Sequence, residues 1–286
     1  MSEQITARAP AKVNLSLRVA ALDASGLHPM RSLAQSVGWY DRVIAEASDE
    51  DELEIFGADL SPDGDNLIWR AISAIRARAE TRQPVHVRLV KRIPVAAGLG
   101  GGSSDAAAAL IVYAELTRHR GDLLDVTADL GSDVPFCLSG GTQWVEGHGE
   151  VLTPIAHTAD DYWMVFAVPA FELSTAAVYS AWDRLQEPAG PELSLRAIPP
   201  SIRNLGPFVN DLYPAAVRCN PEVADWRDEL SRVWERPVAM SGSGPTLFGF
   251  FADEEEASEA LGLVPGEARA AVSAPPISRG AHLEGR

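Results

Sequence analysis

Apolar and polar residues alternate strictly over residues 12–19, where the apolar positions are Val13, Leu15, Leu17 and Val19. A repeat of two residues predicts a β-strand with one face in the core and the other towards solvent. On this interpretation Lys12 and Asn14 lie side by side on the face opposite the core.

Weaker patterns predict further elements. Strands are expected at residues 85–90, 163–168 and 246–251, and helices from Asn66 onward, at residues 106–120 and at residues 253–261. Five prolines between residues 187 and 207 indicate an extended loop, and residues 275–286 are expected to be frayed. Because strands and helices are mixed along the chain, we expect an α+β protein.

The number of lobes follows from length and composition. A chain of 286 residues suffices for one large domain or two modest ones. The composition changes near Pro154, and this favours two α+β lobes, at residues 1–155 and 156–286.

Composition and charge restrict the class of partner. With 46% hydrophobic and 22% charged residues, the chain is not a disordered or fibrous protein. A formal net charge of −16 argues against binding to nucleic acids or anionic membranes, which are held by clustered cations. An anionic substrate would therefore need a local positive site.

Cysteine usage and the apolar runs bear on location. Cys137 and Cys219 are too few for a disulfide framework and have no CxxC spacing, which is typical of a reducing compartment. The longest apolar run, residues 106–114, is far below the ~18 residues that a membrane helix needs. The first residues show no basic, apolar leader, so we expect a cytoplasmic protein without membrane contact.

The segment at residues 94–104 has the composition of a phosphate-binding loop. Glycines at positions 98, 100, 101 and 102 let backbone N–H groups approach an anion, and two serines lead into the predicted helix and its positive N-terminal end. It is not a P-loop, because no Gly-Lys-Ser/Thr follows, nor a dinucleotide fingerprint, because Ser103 stands where the third glycine belongs.

Two further segments are ambiguous when taken alone. The cluster Met240-Ser-Gly-Ser-Gly-Pro245 suits a second ligand loop, and it equally suits a hairpin turn or a short linker. Asp133 follows a predicted helix within a tight turn, where an aspartate commonly serves as an N-cap or forms an Asx-turn. In company with Lys12 and a phosphate loop, it also suits phosphoryl transfer to a hydroxyl.

Taken together, these segments resemble the motif set of the GHMP small-molecule kinases. The matching stretches are residues 9–15, 94–104, 130–135 and 240–245, in family order. Secondary matches at Tyr40-Asp41, Asp65-Asn66-Leu67, Glu146-Gly-His-Gly-Glu150 and Phe208-Val-Asn-Asp-Leu212 favour one branch, whose members phosphorylate the 2-hydroxyl of a cytidine-diphosphate-linked methylerythritol in the non-mevalonate isoprenoid pathway. The resemblance spans most of the chain.

The resemblance implies the GHMP kinase fold, an N-terminal lobe similar to the second domain of ribosomal protein S5 followed by a ferredoxin-like lobe. ATP is expected along Pro94-Val95-Ala96-Ala97-Gly98-Leu99-Gly100-Gly101-Gly102-Ser103-Ser104, with Ser104 as a candidate Mg²⁺ ligand. Asp133 is expected to be the general base and Lys12 to hold it ionised and orient the hydroxyl. Gly242, Ser243 and Gly244 form the expected second glycine loop.

For the substrate, the resemblance implies Asn14, His28 and Tyr179 as binding residues. His28 is expected to hydrogen-bond the cytosine, and Tyr179 to stack on it. The family usually has Asp-Gly-Tyr-His where this chain has Ser25-Gly-Leu-His28, so Leu27 replaces a stacking tyrosine and weaker cytidine binding is expected. The expected partner is a cytidine-diphosphate-linked polyol, and the protein is expected to be a monomer or homodimer.

Two alternatives remain open at this point. The acceptor could be another small alcohol, such as homoserine, mevalonate or a sugar, since the tyrosine is lost at position 27. A nucleotide-binding sensor without catalysis is the other, and it would be expected to have lost Lys12 and Asp133, both of which are present.

Overall fold

The alternating segment around Lys12 belongs to a long central strand. The computed structural model describes residues 4–127, 129–156 and 161–285. In it, β1 (Ile5–Val19) pairs antiparallel with β2 (Met30–Ala47) along its length. Although a half-buried strand was expected, both faces are buried, and Lys12 and Asn14 are each only 5% exposed. Val13 and Leu15 face a second sheet, and the two glycine segments cover the opposite face. A Cβ at Gly100 would lie 2.7 Å from Lys12 Cγ, and one at Gly242 would lie 3.2 Å from Asn14 Oδ1.

The first sheet is organised around β2. Its later part pairs with β4 (Val85–Val90), which runs parallel to β3 (Glu52–Phe56). Its earlier part pairs with β5 (Thr142–Gly147), which forms a hairpin with β6 (Val151–Pro154). A short strand, β11 (His282–Leu283), pairs with β1. The strand predicted at residues 85–90 is confirmed.

Three helices accompany this sheet: α1 (Leu67–Ala79), α2 (Gly101–Leu116) and α3 (Val134–Ser139). The start of α1 is confirmed, because the Asn66 side chain accepts a hydrogen bond from the backbone N–H of Ile68. The second helix starts five residues before the expected position 106. Its first turn is the glycine-serine segment itself, although glycine has a low helix propensity.

The second sheet has the order β10-β7-β9-β8 and is antiparallel throughout. Its strands are β7 (Trp163–Val168), β8 (Ala239–Met240), β9 (Leu247–Phe251) and β10 (Ala270–Ala274). The accompanying helices are α4 (Thr175–Arg184), α5 (Tyr213–Cys219), α6 (Glu222–Trp234) and α7 (Glu254–Leu261). Asp253 caps α7 as expected, and residues 187–207 form a long connection with two short 3₁₀ turns.

The two sheets share an apolar core. Phe166 and Phe248 of the second sheet pack with Val13, Leu15 and Leu33 of the first. The helices of each part cover the far side of their own sheet, as separate apolar clusters around Ile72 and Trp182 indicate. The α+β class is therefore confirmed. Among the helices of the described ranges, none has the length and apolarity that crossing a bilayer requires.

The C-terminal segment was expected to be frayed, and this expectation is wrong. Glu284 forms ion pairs with Arg8 and Arg42 at 3.1 and 2.8 Å. The backbone N–H of Ala281 donates to the carbonyl of Cys137 in α3 at 2.8 Å. Residues after position 276 therefore return to the first sheet, although they belong to the lobe expected at residues 156–286. The lobe boundary itself stays a prediction.

Candidate active site

A cavity of about 940 Å³ lies where the first glycine loop faces the second sheet and helix α4. Its lining contains Lys12, Asn14, His28, Asp133 and Tyr179, together with residues 94–103. The fold thus brings side chains from distant parts of the sequence, such as Lys12 and Ser243, to one cavity.

Lys12 and Asp133 meet at the wall of this cavity. Lys12 Nζ lies 3.3 Å from Asp133 Oδ2 and donates a hydrogen bond to Asn14 Oδ1 at 2.7 Å. The Lys12 side chain is 7% exposed, whereas that of Asp133 is 33% exposed. The ammonium is therefore fixed by protein contacts, while the carboxylate faces the space where a ligand would bind.

The position of Lys12 depends on Gly100. The backbone N–H of Lys12 donates to the Leu99 carbonyl at 2.9 Å. A Cβ at Gly100 would lie 2.7 Å from Lys12 Cγ, and the φ of this residue is +67°. Both the close approach and the left-handed backbone require glycine. The first glycine loop and the strand that carries Lys12 thus fix each other.

Asp133 occupies the N-cap position of α3, yet its side chain makes no capping hydrogen bond. Asp133 thus has the expected N-cap position without the capping role, and its carboxylate faces Lys12 instead. The turn that carries it is supported by the β5–β6 hairpin, which sequence reasoning noticed only as a motif. A Cβ at Gly149 would lie 2.0 Å from the Ser132 carbonyl oxygen, so the two backbones are in direct contact.

The glycine loop ends in an uncapped helix N-terminus. Gly100 precedes α2 without any side-chain capping bond, and Gly101, Gly102 and Ser103 line the cavity. The first N–H groups of a helix have no partner within the helix, and the axis dipole adds partial positive charge there. In a protein of net charge −16, this is a local site for an anion.

The second glycine loop packs directly on the first one. Ser241 Oγ donates to the Gly98 carbonyl at 2.9 Å, and Thr246 Oγ1 donates to the Ala97 carbonyl at 2.6 Å. Asn210 holds the loop from behind, since its Nδ2 donates to the carbonyls of Met240 and Gly242, each at 2.8 Å. The loop joins the paired strands β8 and β9, so the hairpin interpretation is confirmed and that of a simple linker is wrong.

At the other end of the cavity, aromatic rings surround His28. Its ring lies 5.1 Å from that of Tyr179 and 5.5 Å from that of Trp182, measured between centroids. Nδ1 of His28 faces the Ala20 carbonyl at 3.0 Å, and Nε2 faces Asp183 Oδ2 at 3.5 Å. Burial, with a smaller contribution from the Asp133 carboxylate, raises the pKa of Tyr179 to about 12, so its phenol stays neutral.

Two of the expected residues do not reach the cavity. Ser104 is fully buried behind the loop, whereas its neighbour Ser103 lines the cavity. Gly244 does not line the cavity, although its neighbours Gly242 and Ser243 do. A Cβ at Gly244 would lie 2.8 Å from Met240 Sδ. Leu27, the replacement for the expected tyrosine, lines the cavity and is 53% exposed.

Sequence reasoning missed a buried charged cluster beside the glycine loop. Lys91 donates hydrogen bonds to Asp41 and Asp105, and all three are buried. Burial raises the pKa of Asp105 to about 8, an effect that the Lys91 ammonium opposes and the Asp41 carboxylate reinforces. Burial opposes the charge of Lys91, but the two carboxylates outweigh it and raise the pKa of the ammonium. The Tyr40-Asp41 motif was the one feature of the sequence analysis that pointed to this cluster.

Comparisons with known proteins agree with this arrangement. Family models match residues 66–141, as the GHMP kinases N terminal domain, and residues 193–262, as the GHMP kinases C terminal domain. The 4-diphosphocytidyl-2-C-methyl-D-erythritol kinase of Pelotomaculum thermopropionicum is 39% identical over 89% of this chain and 92% of its own length. The enzyme of the same name from Streptomyces avermitilis is 37% identical over 97% and 98%.

Solved structures show the same relationship. A crystal structure of 4-(cytidine 5'-diphospho)-2C-methyl-D-erythritol kinase is 33% identical, with a TM-score of 0.79 over 95% of this chain and 98% of that one. A homoserine kinase from Cytophaga hutchinsonii is 18% identical, with a TM-score of 0.74 over 99% and 98%. The second likeness concerns the fold alone.

Proposed function

The chain belongs to the 4-diphosphocytidyl-2-C-methyl-D-erythritol kinases, a branch of the GHMP kinases, and on that premise we propose how its residues perform the reaction. ATP donates its terminal phosphoryl group to the 2-hydroxyl of 4-diphosphocytidyl-2-C-methyl-D-erythritol, a step of the non-mevalonate route to isoprenoid precursors. The observation that carries the assignment of roles is the 3.3 Å approach of Lys12 to Asp133 beside an uncapped helix N-terminus.

On this proposal, the phosphates of ATP lie against residues 94–103 and the start of α2. Free N–H groups of the first helical turn would donate to the phosphate oxygens. The second glycine loop, with Gly242 and Ser243 at the cavity, would close the other side of the same site. Because phosphoryl transfer has a loose transition state, holding donor and acceptor in line supplies much of the rate.

Asp133 is the group that would receive the proton of the 2-hydroxyl. As the oxygen attacks the terminal phosphorus, its bond to hydrogen breaks, the new O–P bond forms, and ADP leaves with the electrons of the old bond. Lys12 lies 3.3 Å from the carboxylate and lines the same cavity, so it would orient the hydroxyl and attract the incoming phosphoryl group. Asn14 holds Lys12 through its Oδ1.

Mg²⁺ is the expected metal ion of the bound nucleotide, where it would neutralise phosphate charge during transfer. Ser103 lines the cavity and brings a hydroxyl oxygen to it, a ligand type that suits such a hard cation beside the phosphate oxygens. Ser104, the ligand expected from the sequence, is fully buried, and Ser103 takes its place in the proposal.

The aromatic end of the cavity supports a cytidine-bearing acceptor. Tyr179 offers a neutral ring for stacking and His28 a polar edge beside it, which is what a nucleobase requires. Homoserine and mevalonate have no ring to occupy this end. A monomer or homodimer in the cytoplasm stays a prediction.

Turnover with the cytidine substrate tests the assignment. We expect ADP release with ATP and 4-diphosphocytidyl-2-C-methyl-D-erythritol, measured by a coupled assay, and a much lower kcat/KM with homoserine, mevalonate or sugars. A folded protein that prefers an acceptor without cytidine, or that turns over none, contradicts the proposal.

Replacing Asp133, the proposed general base, tests its role in catalysis. Asp133→Asn is expected to lower kcat by at least about 100-fold, the range of a lost general base, and to leave the Kd of ATP within about twofold. Asp129→Asn, an exposed aspartate four positions earlier, is the control and should keep wild-type kcat. Turnover of Asp133→Asn at a tenth or more of wild type would show that the carboxylate has another role.

A further inference from the structure

Three ionisable side chains form a buried cluster under the first turn of α2, and the reaction described above uses none of them. Lys91 Nζ donates to Asp41 Oδ2 at 2.5 Å and to Asp105 Oδ2 at 2.6 Å. The three side chains are at most 4% exposed. Asp41 belongs to β2, Lys91 directly follows β4, and Asp105 is the fifth residue of α2, so the cluster joins three elements.

The cluster holds both ends of the first glycine loop. At the entry, Asp41 Oδ1 accepts hydrogen bonds from the backbone N–H groups of Arg92 and Ile93, at 2.5 and 2.8 Å. These residues immediately precede Pro94, where the loop begins. At the exit, Asp105 follows Ser104 and is bound by Lys91. One ammonium and two carboxyl groups thus fix the distance between the start and the end of the loop.

The contact continues to the backbone of the loop itself. A Cβ at Gly101 would lie 3.2 Å from Lys91 Nζ and 3.1 Å from Ile93 Cγ2, so the first turn of α2 lies directly on the cluster. Lys91 and Asp105 also line the cavity, and Asp105 Oδ1 is buried without a hydrogen-bond partner among the described residues. A displacement of these side chains would therefore move the N–H groups of Gly101 and Gly102.

Stability alone does not explain such a cluster. The cost of removing charges from water offsets their attraction, so well-packed apolar residues of similar volume stabilise a core as well or better. Hydrogen bonds between charged groups are short and directional, however, and they define a geometry that apolar packing leaves adjustable. The positions of the three residues around the loop point to this geometric role.

We propose that Asp41, Lys91 and Asp105 are positioning residues for the nucleotide. By joining both ends of the glycine loop, they hold the N–H groups of the first turn of α2 in the direction that phosphate oxygens require. The inference rests on the proposed function in one respect, that the nucleotide occupies this loop. It predicts that loosening the cluster weakens ATP binding while the transfer step at Lys12 and Asp133 stays intact.

The test compares Asp105→Ala with Asp105→Asn. The alanine removes the contact with Lys91, whereas the asparagine keeps an oxygen of the same reach. We expect Asp105→Ala to raise both the Kd and the KM of ATP at least tenfold, with kcat at saturating ATP within about fivefold of wild type. Asp105→Asn should bind ATP within threefold of wild type. Calorimetric titration with ATP and, separately, with the cytidine substrate provides the binding constants.

A matched control is available at the other end of β4. Asp51 accepts two hydrogen bonds from Arg76 and one from the backbone N–H of Val85, far from the loop. Asp51→Ala should leave the Kd of ATP within twofold. The cytidine substrate serves as a second control, because its affinity should not change in Asp105→Ala.

Three results would each overturn the inference. Asp105→Ala could fold and bind ATP within threefold of wild type, or Asp105→Asn could bind ATP as weakly as Asp105→Ala does. The third result is that Asp105→Ala loses affinity equally for ATP and for the cytidine substrate. If Asp105→Ala does not fold, the combined variant Lys91→Met, Asp41→Asn and Asp105→Leu removes the three ionisable groups together. It should fold and bind ATP at least tenfold more weakly, and binding within threefold contradicts the inference.

The same measurements separate this inference from the proposed function. ATP binding is measured without an acceptor, so a wild-type protein that binds ATP and phosphorylates no cytidine substrate contradicts the proposed function alone. A wild-type protein that binds no ATP contradicts both.

Discussion

At the scale of single residues, one substitution at the aromatic end of the cavity is expected to strengthen binding of the cytidine substrate. Leu27 is 53% exposed and lines the cavity near His28, at the position where the family resemblance predicts a tyrosine. Leu27→Tyr adds a second stacking surface, and stacking of a base on an aromatic side chain is worth about 1–3 kcal/mol. We expect the KM of the cytidine substrate to fall by about five- to 150-fold, with the KM of ATP unchanged.

The control for this prediction is Leu22→Tyr, since Leu22 also lines the cavity and is 54% exposed. A ring at that position adds apolar area without restoring the family pattern at residue 27. If both variants improve the substrate KM equally, general apolar contact and not stacking at position 27 is responsible.

A second residue, Asp105, is expected to make the free energy of unfolding depend on pH. Its pKa is about 8 in the folded protein, mainly because of burial, against 3.8 when exposed. Between these values the folded state holds a proton that the unfolded state has lost, so Asp105 costs stability progressively as the pH rises from about 4 to about 8. The stability of Asp105→Asn relative to wild type should therefore increase over this range, by at most about 1.4 kcal/mol per pH unit.

Urea unfolding at several pH values measures this difference. Asp51→Asn is the contrasting control, because the hydrogen bond from Arg76 lowers the pKa of Asp51. Its stabilising contribution is present above the unfolded pKa and is lost only as the pH falls, so the difference from wild type should stay constant between pH 5 and 8. A flat profile for Asp105→Asn as well would show that this carboxyl is ionised at neutral pH.

At the scale of elements, the β5–β6 hairpin supports the turn that carries Asp133. A Cβ at Gly149 would meet the Ser132 carbonyl oxygen at 2.0 Å, and the φ of Gly149 is +112°. Gly149→Ala should displace Asp133, and a displacement of about 1 Å at a reacting group can cost about 100-fold in rate. We expect kcat to fall by about 10- to 100-fold while the Kd of ATP changes little.

Gly147→Ala is the matched control within the same hairpin. Its φ is +70°, so an alanine meets similar backbone strain, but the new Cβ would contact the flexible end of the Glu150 side chain at 2.3 Å. This side chain can move aside. Kinetic assays should therefore show a loss of kcat for Gly149→Ala that is at least fivefold larger, and equal losses would assign the effect to hairpin strain alone.

The elements also show how far the sequence determines the fold. Strands β4 and β7 and the start of α1 followed from local periodicity and capping, because those signals lie within each segment. The first turn of α2 did not, since glycine and serine favour other conformations in isolation. Contacts with Lys12 and Lys91 hold this turn in place, and such long-range contacts leave no local pattern.

The site shows the same limit. Lys12 and Asp133 were predictable as a pair because motif and resemblance named both, and the structure places them 3.3 Å apart. The buried cluster of Asp41, Lys91 and Asp105 was not predictable as a unit. Each residue lies in a different element, and a charged residue in a sequence is ordinarily assigned to the surface.

At the scale of the whole molecule, the C-terminal segment connects the end of the chain to the active site. After the second sheet the chain returns to β1 and α3. A Cβ at Gly140 would lie 1.8 Å from the backbone nitrogen of Gly280, and Ala281 bonds to Cys137 of α3. Because α3 directly follows Asp133, the tail braces the element that carries the proposed base.

Deleting residues 278–286 should therefore reduce both stability and catalysis. The deletion removes the pairing of β11, the backbone bonds from Ala281 to Cys137 and from Glu284 to Thr6, and the ion pairs of Glu284. At about 0.5–1.5 kcal/mol for each hydrogen bond, the expected loss is about 2–4 kcal/mol, with kcat reduced because α3 is less firmly held. Glu284→Gln, which removes only the exposed ion pairs, should cost less than about 1 kcal/mol and leave kcat unchanged. Urea unfolding measures the loss of stability, and steady-state kinetics measures kcat at a temperature where all three proteins are folded. A truncated protein with wild-type kcat would show that α3 keeps Asp133 in place without the tail.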